Sequence, residues 1–167
     1  MRIAALIALG LVCALSGQYI ACVLNNRVRM LEKIQLMLTT AENNLSFLRT
    51  PADDMVKNLA DNSELKELDF LQICLEKIKN GEAFPTAWNS SVRGAAKYLK
   101  NGDTSVLISF GEQFGTTDIE GQISNCRIHS ELIKDRLENA RAVRERYSSL
   151  ACGMGIVCGL GVIIMMI

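Results

Sequence analysis

Apolar positions divide this chain into three parts. Ile3 to Leu24 is a 22-residue run without a charged side chain, and Leu150 to Ile167 is an 18-residue run without one. At a rise of ~1.5 Å per residue, helices of these lengths extend about 33 and 27 Å, close to the roughly 30 Å hydrocarbon core of a membrane. The pattern predicts transmembrane helices over residues 3–24 and 150–167, with a helical domain over residues 25–149.

The predicted domain has helical rather than strand periodicity, because no run alternates with period two over a strand's length. Two seams recur at intervals of three and four residues, which is typical of a helix packed nearly parallel to its neighbours. The first comprises Leu31, Ile34, Leu38, Ala41, Leu45 and Leu48. The second, in the last helix, comprises Ile119, Ile123, Cys126, Ser130, Ile133, Leu137 and Ala140.

Cap residues predict where the second and third helices begin and end. Thr50 is the predicted N-cap of the second helix, and Pro51 occupies its first helical position, where a missing N–H is harmless. The third helix follows Ser63 and closes at Asn80-Gly81, a typical C-terminal stop signal.

Similar signals predict the boundaries of the last three helices. A fourth helix carries Trp88 and ends at Asn101-Gly102, and a short fifth helix ends at Gly115. Thr117 and Glu120 have the spacing of a capping box, which predicts the start of the sixth helix. The predicted fold is therefore all-α, an antiparallel bundle of about six helices whose first and last helices continue into the two spans.

Arginine and lysine residues gather on the domain side of both apolar runs. Residues on that side are Arg27, Arg29, Lys33, Lys134, Arg136, Arg141, Arg144 and Arg146, whereas only Arg2 lies beyond the runs. Cations that flank membrane spans stay cytoplasmic, so we expect the domain inside and both termini outside. The alternative is a cleaved signal peptide over residues 1–24 with one C-terminal anchor, which would put five cations on the wrong side of that anchor.

Composition excludes several classes of function. The net charge is zero, with 18 acidic and 18 basic residues, so no overall positive field favours nucleic acid. Four of the six cysteines lie in the apolar runs, and Cys74 and Cys126 occupy apolar-face helical positions without a CxxC motif. We therefore expect neither a disulfide framework nor a zinc site.

No catalytic or cofactor-binding constellation is apparent. His129 is the only histidine, and although it neighbours Cys126, a residue at the edge of an apolar seam usually packs. There is no GxxxxGK[ST] phosphate loop. We interpret Gly111 and Gly115 as turn and C-cap glycines and Trp88 as a core residue, and we predict a protein that is not an enzyme and has no cofactor.

Two segments resemble motifs of a known family. Residues 110–122, Phe-Gly-Glu-Gln-Phe-Gly-Thr-Thr-Asp-Ile-Glu-Gly-Gln, followed by a long helix, resemble the signature of the stage III sporulation protein AB family. Ala41-Glu42, Leu45, Phe47 and Thr50-Pro51 resemble that family's other motif, at the end of its first long helix. The plan of the chain, with an N-terminal span, a helical domain and a C-terminal span, is also similar.

That resemblance implies a protein of the mother-cell membrane in endospore-forming bacteria, within the assembly that links mother cell and engulfed forespore. The family's cytoplasmic domain is similar to the platform protein of type II secretion and type IV pilus machines, which binds a hexameric cytoplasmic ATPase. We therefore expect contacts with such an ATPase and with other membrane proteins of the sporulation channel. The alternative is a passive membrane-anchored scaffold or sensor that recruits a cytoplasmic partner, and a membrane enzyme ranks third.

The expected partner surface follows from the predicted hairpin. Its membrane-distal end contains the turns Arg49 to Asp54 and Phe110 to Gln122, because each adjoins the far end of a long helix. The candidate partner-binding residues are Arg49, Glu112 and Gln122. Capping does not account for Glu112 and Gln122, which are polar residues of the family-like motif, and Arg49 lies in the opposing turn. The residues expected to build the motif itself are Thr50, Pro51, Phe110, Gly111, Gly115 and Asp118.

Small residues recur four apart in both apolar runs: Cys13, Gly17 and Ala21 in the first, and Ala151, Gly155 and Gly159 in the second. Such faces let helix backbones approach closely in lipid. Two hypotheses remain open, because the same motif serves both. Either the two spans pack on each other, or the glycine face joins neighbouring subunits of a homo-oligomer.

Overall fold

All regular secondary structure in the described part of the chain is helical in a computed structural model. Backbone structure is described for residues 2–48, 52–95 and 97–166, and side chains for residues 18–47, 54–95 and 97–147. Six α-helices occur in these ranges, and no strand does. They are α1 (Arg2–Asn43), α2 (Ala52–Asp61), α3 (Asp69–Lys79), α4 (Phe84–Gly94), α5 (Asn101–Gln113) and α6 (Ile119–Met166). The predicted all-α bundle is confirmed.

Two short helical segments of other types lie between these helices. A π-helical segment, Asn44–Leu48, follows α1, and a 3-10 helix, Ser63–Leu65, lies between α2 and α3. Neither segment was predicted, since hydrophobic periodicity does not distinguish a single wide or tight turn from α-helix.

The chain forms two compact units. One comprises Met1–Val28 together with Asn139–Ile167, and the other comprises Arg29–Glu138; they are called the terminal unit and the central unit below. Since α1 and α6 are long, each contributes residues to both units.

Within the part of the chain that the structure describes, no helix is long and apolar enough to cross a membrane. Most of the predicted span 3–24 and all of the predicted span 150–167 lie outside the residues whose side chains are described. The two spans therefore stay predictions.

The α1 seam forms one wall of the core in the central unit. Its described members, Leu31, Ile34, Leu38, Ala41 and Leu45, are each at most 1% exposed, which confirms the predicted face. Leu48 lies outside the described side chains. Burial of such side chains stabilises the fold by ~1.5–3 kcal/mol each before the entropy of ordering is subtracted.

The α6 seam is buried along part of its predicted length. Cys126, Ile133, Leu137 and Ala140 are buried as expected. Ile119 is instead exposed, while His129, one residue before the predicted seam position Ser130, is buried. The inward face is therefore more polar than the apolar periodicity indicated.

The middle helices pack in chain order, α2 on α3, α3 on α4 and α4 on α5. Gln72 of α3 donates a hydrogen bond from Nε2 to the Ala60 carbonyl at 2.6 Å, which ties α3 to the end of α2. The predicted end of α3 is confirmed. Asn80 is its C-cap and Gly81 has φ +91°, a left-handed conformation that favours glycine.

The predicted boundary between the fourth and fifth helices is wrong. α4 already ends at Gly94, and Asn101-Gly102 begin α5 instead of closing α4. The reason is Asp103, which is fully buried and accepts a hydrogen bond from the Lys100 backbone N–H at 3.0 Å. A carboxylate three residues into a helix stabilises its N-terminus in this way, and here it outweighs the Asn-Gly stop signal.

Candidate partner-binding surface

The segment with the family-like motif rests on a cluster of aromatic rings. Neighbouring ring centroids are 5.4–5.7 Å apart, and the members are Phe70, Phe84, Trp88, Phe110, Phe114 and His129. Phe110 is 2% exposed and contacts three of the other rings. Since these rings come from α3, α4, α6 and the end of α5, the cluster holds the start of the motif against three other helices. It also confirms Trp88 as a core residue.

The Trp88 indole packs against the backbone at Gly111, in the space that a side chain at position 111 would fill. The indole Nε1–H of Trp88 donates a hydrogen bond to the Leu107 carbonyl at 2.8 Å, and that carbonyl is one helical turn before residue 111. A Cβ atom at position 111 would lie 2.1 Å from Cδ1 of Trp88. The interpretation of Gly111 as a turn glycine is therefore wrong. It lies inside α5, and its missing side chain lets the indole reach the backbone.

The turn after α5 has the expected C-cap geometry. Phe114 is the C-cap, with its N–H donating to the Phe110 carbonyl at 3.0 Å. Gly115 follows with φ +78°, so the interpretation of this residue as a C-cap glycine is confirmed. Asn125 of α6 donates from Nδ2 to the same Phe110 carbonyl at 3.3 Å, which fixes the end of α5 against α6.

Asp118, and not Thr117, caps the last helix. Its Oδ1 accepts a hydrogen bond from the Gly121 backbone N–H at 2.9 Å, and α6 begins at the next residue, Ile119. The predicted capping box of Thr117 with Glu120 is therefore wrong by one residue. Both spacings fit the chain, but the carboxylate is both a strong N-cap and a negative charge at the positive end of the helix dipole.

Gln122 has a structural role at one end of its side chain. It donates from Nε2 to the Thr117 carbonyl at 3.0 Å and thereby closes the turn before α6. Its Oε1 is buried and has no hydrogen-bond partner among the described residues. One end of the Gln122 amide therefore stabilises the turn, while the other end has no partner among the described residues. The sequence did not predict this structural role.

Glu112 is an exposed carboxylate on α5 beside this turn. Its Oε1 accepts a hydrogen bond from Nδ2 of Asn89 on α4, at a long 3.4 Å. The structure therefore brings Glu112 and Gln122 together with Phe110, Gly111, Gly115 and Asp118 in one segment. Arg49, Thr50 and Pro51 lie outside the described residues.

Phe47 is a further candidate for contact with a partner. The sequence indicated it only as a member of the second family-like motif. It lies in the π-helical segment after α1 and is 82% exposed. A signal was available, since Phe47 falls off the seam that Leu45 continues. What distinguishes Phe47 from the other exposed apolar side chains is its place in a π-helical turn, and such turns are frequent at functional sites.

An ion pair relates Phe47 to the motif. Arg127 of α6 lies 3.0 Å from Glu42 of α1. Glu42 lies five positions before Phe47, and Arg127 lies nine positions after Asp118. Since α1 and α6 run antiparallel, Phe47 and Asp118 therefore lie towards the same end of the central unit. The pair itself contributes little stability, because Arg127 is largely exposed and solvent screens it.

The buried thiols of Cys74 and Cys126 in the central unit have low reactivity, because a raised pKa leaves little thiolate. Burial raises the pKa of Cys74 to about 11 and that of Cys126 to about 12. His129 lies with Nδ1 2.9 Å from the Asn125 carbonyl and packs on Phe110, so its ring has a structural place. Among the described residues, no three potential metal-ligating side chains come together.

Comparison with known proteins identifies relatives of this chain. A family model described as stage III sporulation protein AB matches residues 2–167. A solved structure described as "Stage III sporulation protein AB (SpoIIIAB)" is similar in fold, with a TM-score of 0.56 and 19% sequence identity, over 70% of this chain and 94% of that chain. None of the curated proteins matches this chain.

Proposed function

This chain belongs to the stage III sporulation protein AB family, and from that membership we propose that it is a platform of the sporulation channel. It binds a cytoplasmic hexameric ATPase at one end of the central unit and couples that ATPase to other membrane proteins of the channel. It does so by binding, without catalysing a reaction and without a cofactor.

One observation carries the proposal. The motif turn between α5 and α6 is exposed along residues 115–120, yet buried contacts beneath it hold its backbone. Those contacts are the aromatic cluster, the Trp88 bond to Leu107 and the Asp118 cap. An exposed loop fixed from below keeps its shape without a partner, and such preorganisation lowers the entropy cost of binding.

The chemistry around the turn suits a protein partner. Glu112 offers an exposed carboxylate, and Phe47 offers a large apolar side chain at the same end of the central unit. Aromatic residues with a charged rim are typical of interface hot spots. Arg49, between Phe47 and α2 in the sequence, adds a basic group to the proposed contact set.

The membrane location is part of the proposal. Two spans over residues 3–24 and 150–167 place the central unit in the mother-cell cytoplasm, following the asymmetry of arginine and lysine. Exposed side chains at Tyr19, Ile20 and Val23 support the first span, because lipid rather than water is the favourable surrounding for such a group.

Co-purification from sporulating cells tests the platform hypothesis. The full chain, extracted in mild detergent, is expected to retain an ATPase with a phosphate-loop motif, identified by mass spectrometry. Phe47→Ala is expected to lose most of the retained ATPase, because truncation removes an aromatic anchor. Ile128→Ala, which shortens another exposed apolar side chain on α6, is the matched control and should retain it.

The outcome separates this hypothesis from its alternative. A passive scaffold or sensor would retain a kinase, a receptor domain or copies of itself, and no ATPase. Loss of the ATPase in both variants alike would point to a general effect of exposed apolar groups instead of a specific surface.

A further inference from the structure

The terminal unit contains a groove at the polar ends of the two apolar runs. Ala21, Cys22, Leu24 and Asn25 line it from α1, and Arg144 and Tyr147 line it from α6. Its volume is about 360 Å³. That is at the lower end of the range of pockets that hold small organic groups, roughly 300–1,000 Å³.

The groove combines apolar and polar lining residues. Ala21 and Leu24 are apolar, whereas Asn25, Arg144 and Tyr147 carry an amide, a guanidinium and a phenol. None of the residues lining the groove is acidic. All three polar groups can donate hydrogen bonds, and a guanidinium pairs best with a phosphate or a carboxylate.

Arg144 is the residue that points to a ligand. It is only half-exposed, and no ion pair to it occurs within the described ranges. A guanidinium that is partly withdrawn from water gains from an anion placed beside it, because the pair replaces lost hydration.

Side chains close by on α1 indicate what surrounds the groove. Tyr19 is 71% exposed, and Ile20 and Val23 are exposed as well. These three lie within two helical turns of Asn25. An apolar surface that ends in tyrosines next to arginine is typical of the boundary between acyl chains and headgroups.

Resting on the membrane location proposed above, we propose that this groove binds the phosphate group of an anionic phospholipid. The Arg144 guanidinium pairs with the phosphate, and the Tyr147 hydroxyl and the Asn25 amide donate to its oxygens. One acyl chain lies along Ala21 and Leu24. The bound lipid thereby links α1 and α6 where they leave the polar phase.

Lipid retention in nanodiscs tests the site with the full chain. The chain is reconstituted in phosphatidylcholine nanodiscs with a minor fraction of phosphatidylglycerol. The protein is then released from the nanodiscs, and the lipids that stay bound to it are counted by native mass spectrometry. Arg144→Gln is expected to lower the retained phosphatidylglycerol about tenfold, the effect of losing one hydrogen bond between charged groups. Arg146→Gln is the matched control, since Arg146 is exposed on the same helix and does not line the groove.

Each outcome decides the proposal. Unchanged retention in Arg144→Gln, or equal losses in both variants, would overturn the site in favour of diffuse charge attraction. Displacement of phosphatidylglycerol by soluble glycerol phosphate at equal concentration would assign the groove to free phosphate compounds. If Arg144→Gln loses helicity by circular dichroism, Tyr147→Phe decides, with reduced retention expected and full retention counting against the site.

The same experiment separates this inference from the proposed function. A wild-type chain that does not enter nanodiscs would reject both the membrane location and the lipid site. A chain that enters them without retaining phosphatidylglycerol would reject the lipid site alone. Neither result bears on ATPase binding, which co-purification tests independently.

Discussion

Gly111 lies against the indole of Trp88 so closely that a Cβ atom at position 111 would be 2.1 Å from the ring. This contact predicts that Gly111→Ala destabilises the fold, although alanine is the better helix former by ~1 kcal/mol. Overpacking a well-filled core costs about 1–3 kcal/mol, so a net loss of stability is expected in urea unfolding of the full chain in detergent. Gly94→Ala is the control, since nothing lies within 4 Å of its Cβ, and it should be neutral or stabilising. Stabilisation by both substitutions would contradict the close contact.

Alanine substitutions at Phe110 and Asp118 should differ widely in how much they lower the stability of the fold. Phe110→Ala empties a buried position at the centre of the aromatic cluster and is expected to cost about 3–5 kcal/mol. Asp118→Ala removes an N-cap, which costs about 0.5–2 kcal/mol, whereas Asp118→Asn keeps an accepting oxygen and should be nearly neutral. Thermal melts followed by circular dichroism give the order. If Asp118→Ala is the more damaging change, its carboxylate does more than cap α6.

Charge reversal at Glu112 should weaken the proposed ATPase contact. We expect Glu112→Lys to lower the amount of retained ATPase about tenfold, which corresponds to ~1.4 kcal/mol, with the helical content unchanged. Glu76→Lys makes the same charge change at an exposed position of α3 and should bind normally. Equal binding by both variants would place the interface away from the motif turn, with the basic segment around Arg141 to Arg146 as the next surface to examine.

The buried thiols predict a fall in stability at high pH. Burial raises the pKa of Cys126 to about 12 from the ordinary thiol value of 9.0, so the folded state holds this proton more tightly than the unfolded state does. The resulting stabilisation is full below pH 9 and is lost as the pH rises towards 12. The stability advantage of the wild-type chain over Cys126→Ala should therefore shrink over that interval in urea unfolding. A constant advantage would mean that the thiol is less buried than it is here.

The proposed topology predicts that the central unit is hidden from the cell exterior. A cysteine introduced by Lys57→Cys, at an exposed position of α2, should not react with an impermeant maleimide in intact cells. It should react once the membrane is opened, and the wild-type chain gives the background from its own cysteines. Labelling of this position from outside would overturn the orientation inferred from the arginines and lysines.

The buried face of a helix was predictable from the sequence where a single regular apolar seam runs along that helix. The α1 seam from Leu31 to Leu45 is buried throughout its described length, because a regular spacing of three and four places every member on one side of the helix. The boundary between α4 and α5 was not predictable in the same way. It depends on a hydrogen bond between Asp103 and Lys100 that competes with a nearby Asn-Gly stop signal.

The candidate surface shows a similar division. The motif, its location between two helices and the exposed Glu112 could be inferred from the residues, whereas the roles of two other members could not. Gln122 was expected to face a partner, and it instead bonds the Thr117 carbonyl at one end. Phe47 falls off the apolar seam, but that spacing does not reveal that it lies in a π turn after Asn43.

The sequence by itself determined the features that depend on neighbouring residues. Helical periodicity, the left-handed turns at Gly81 and Gly115 and membership of a family with a recognisable motif all belong to this class, because backbone preference and turn chemistry act over a few positions. Only the tertiary structure decided that Gly111 is a packing glycine and that Phe110 is the centre of an aromatic cluster. Those roles depend on Trp88 and His129, which are distant along the chain, and no local pattern specifies which distant side chain will fill a given space.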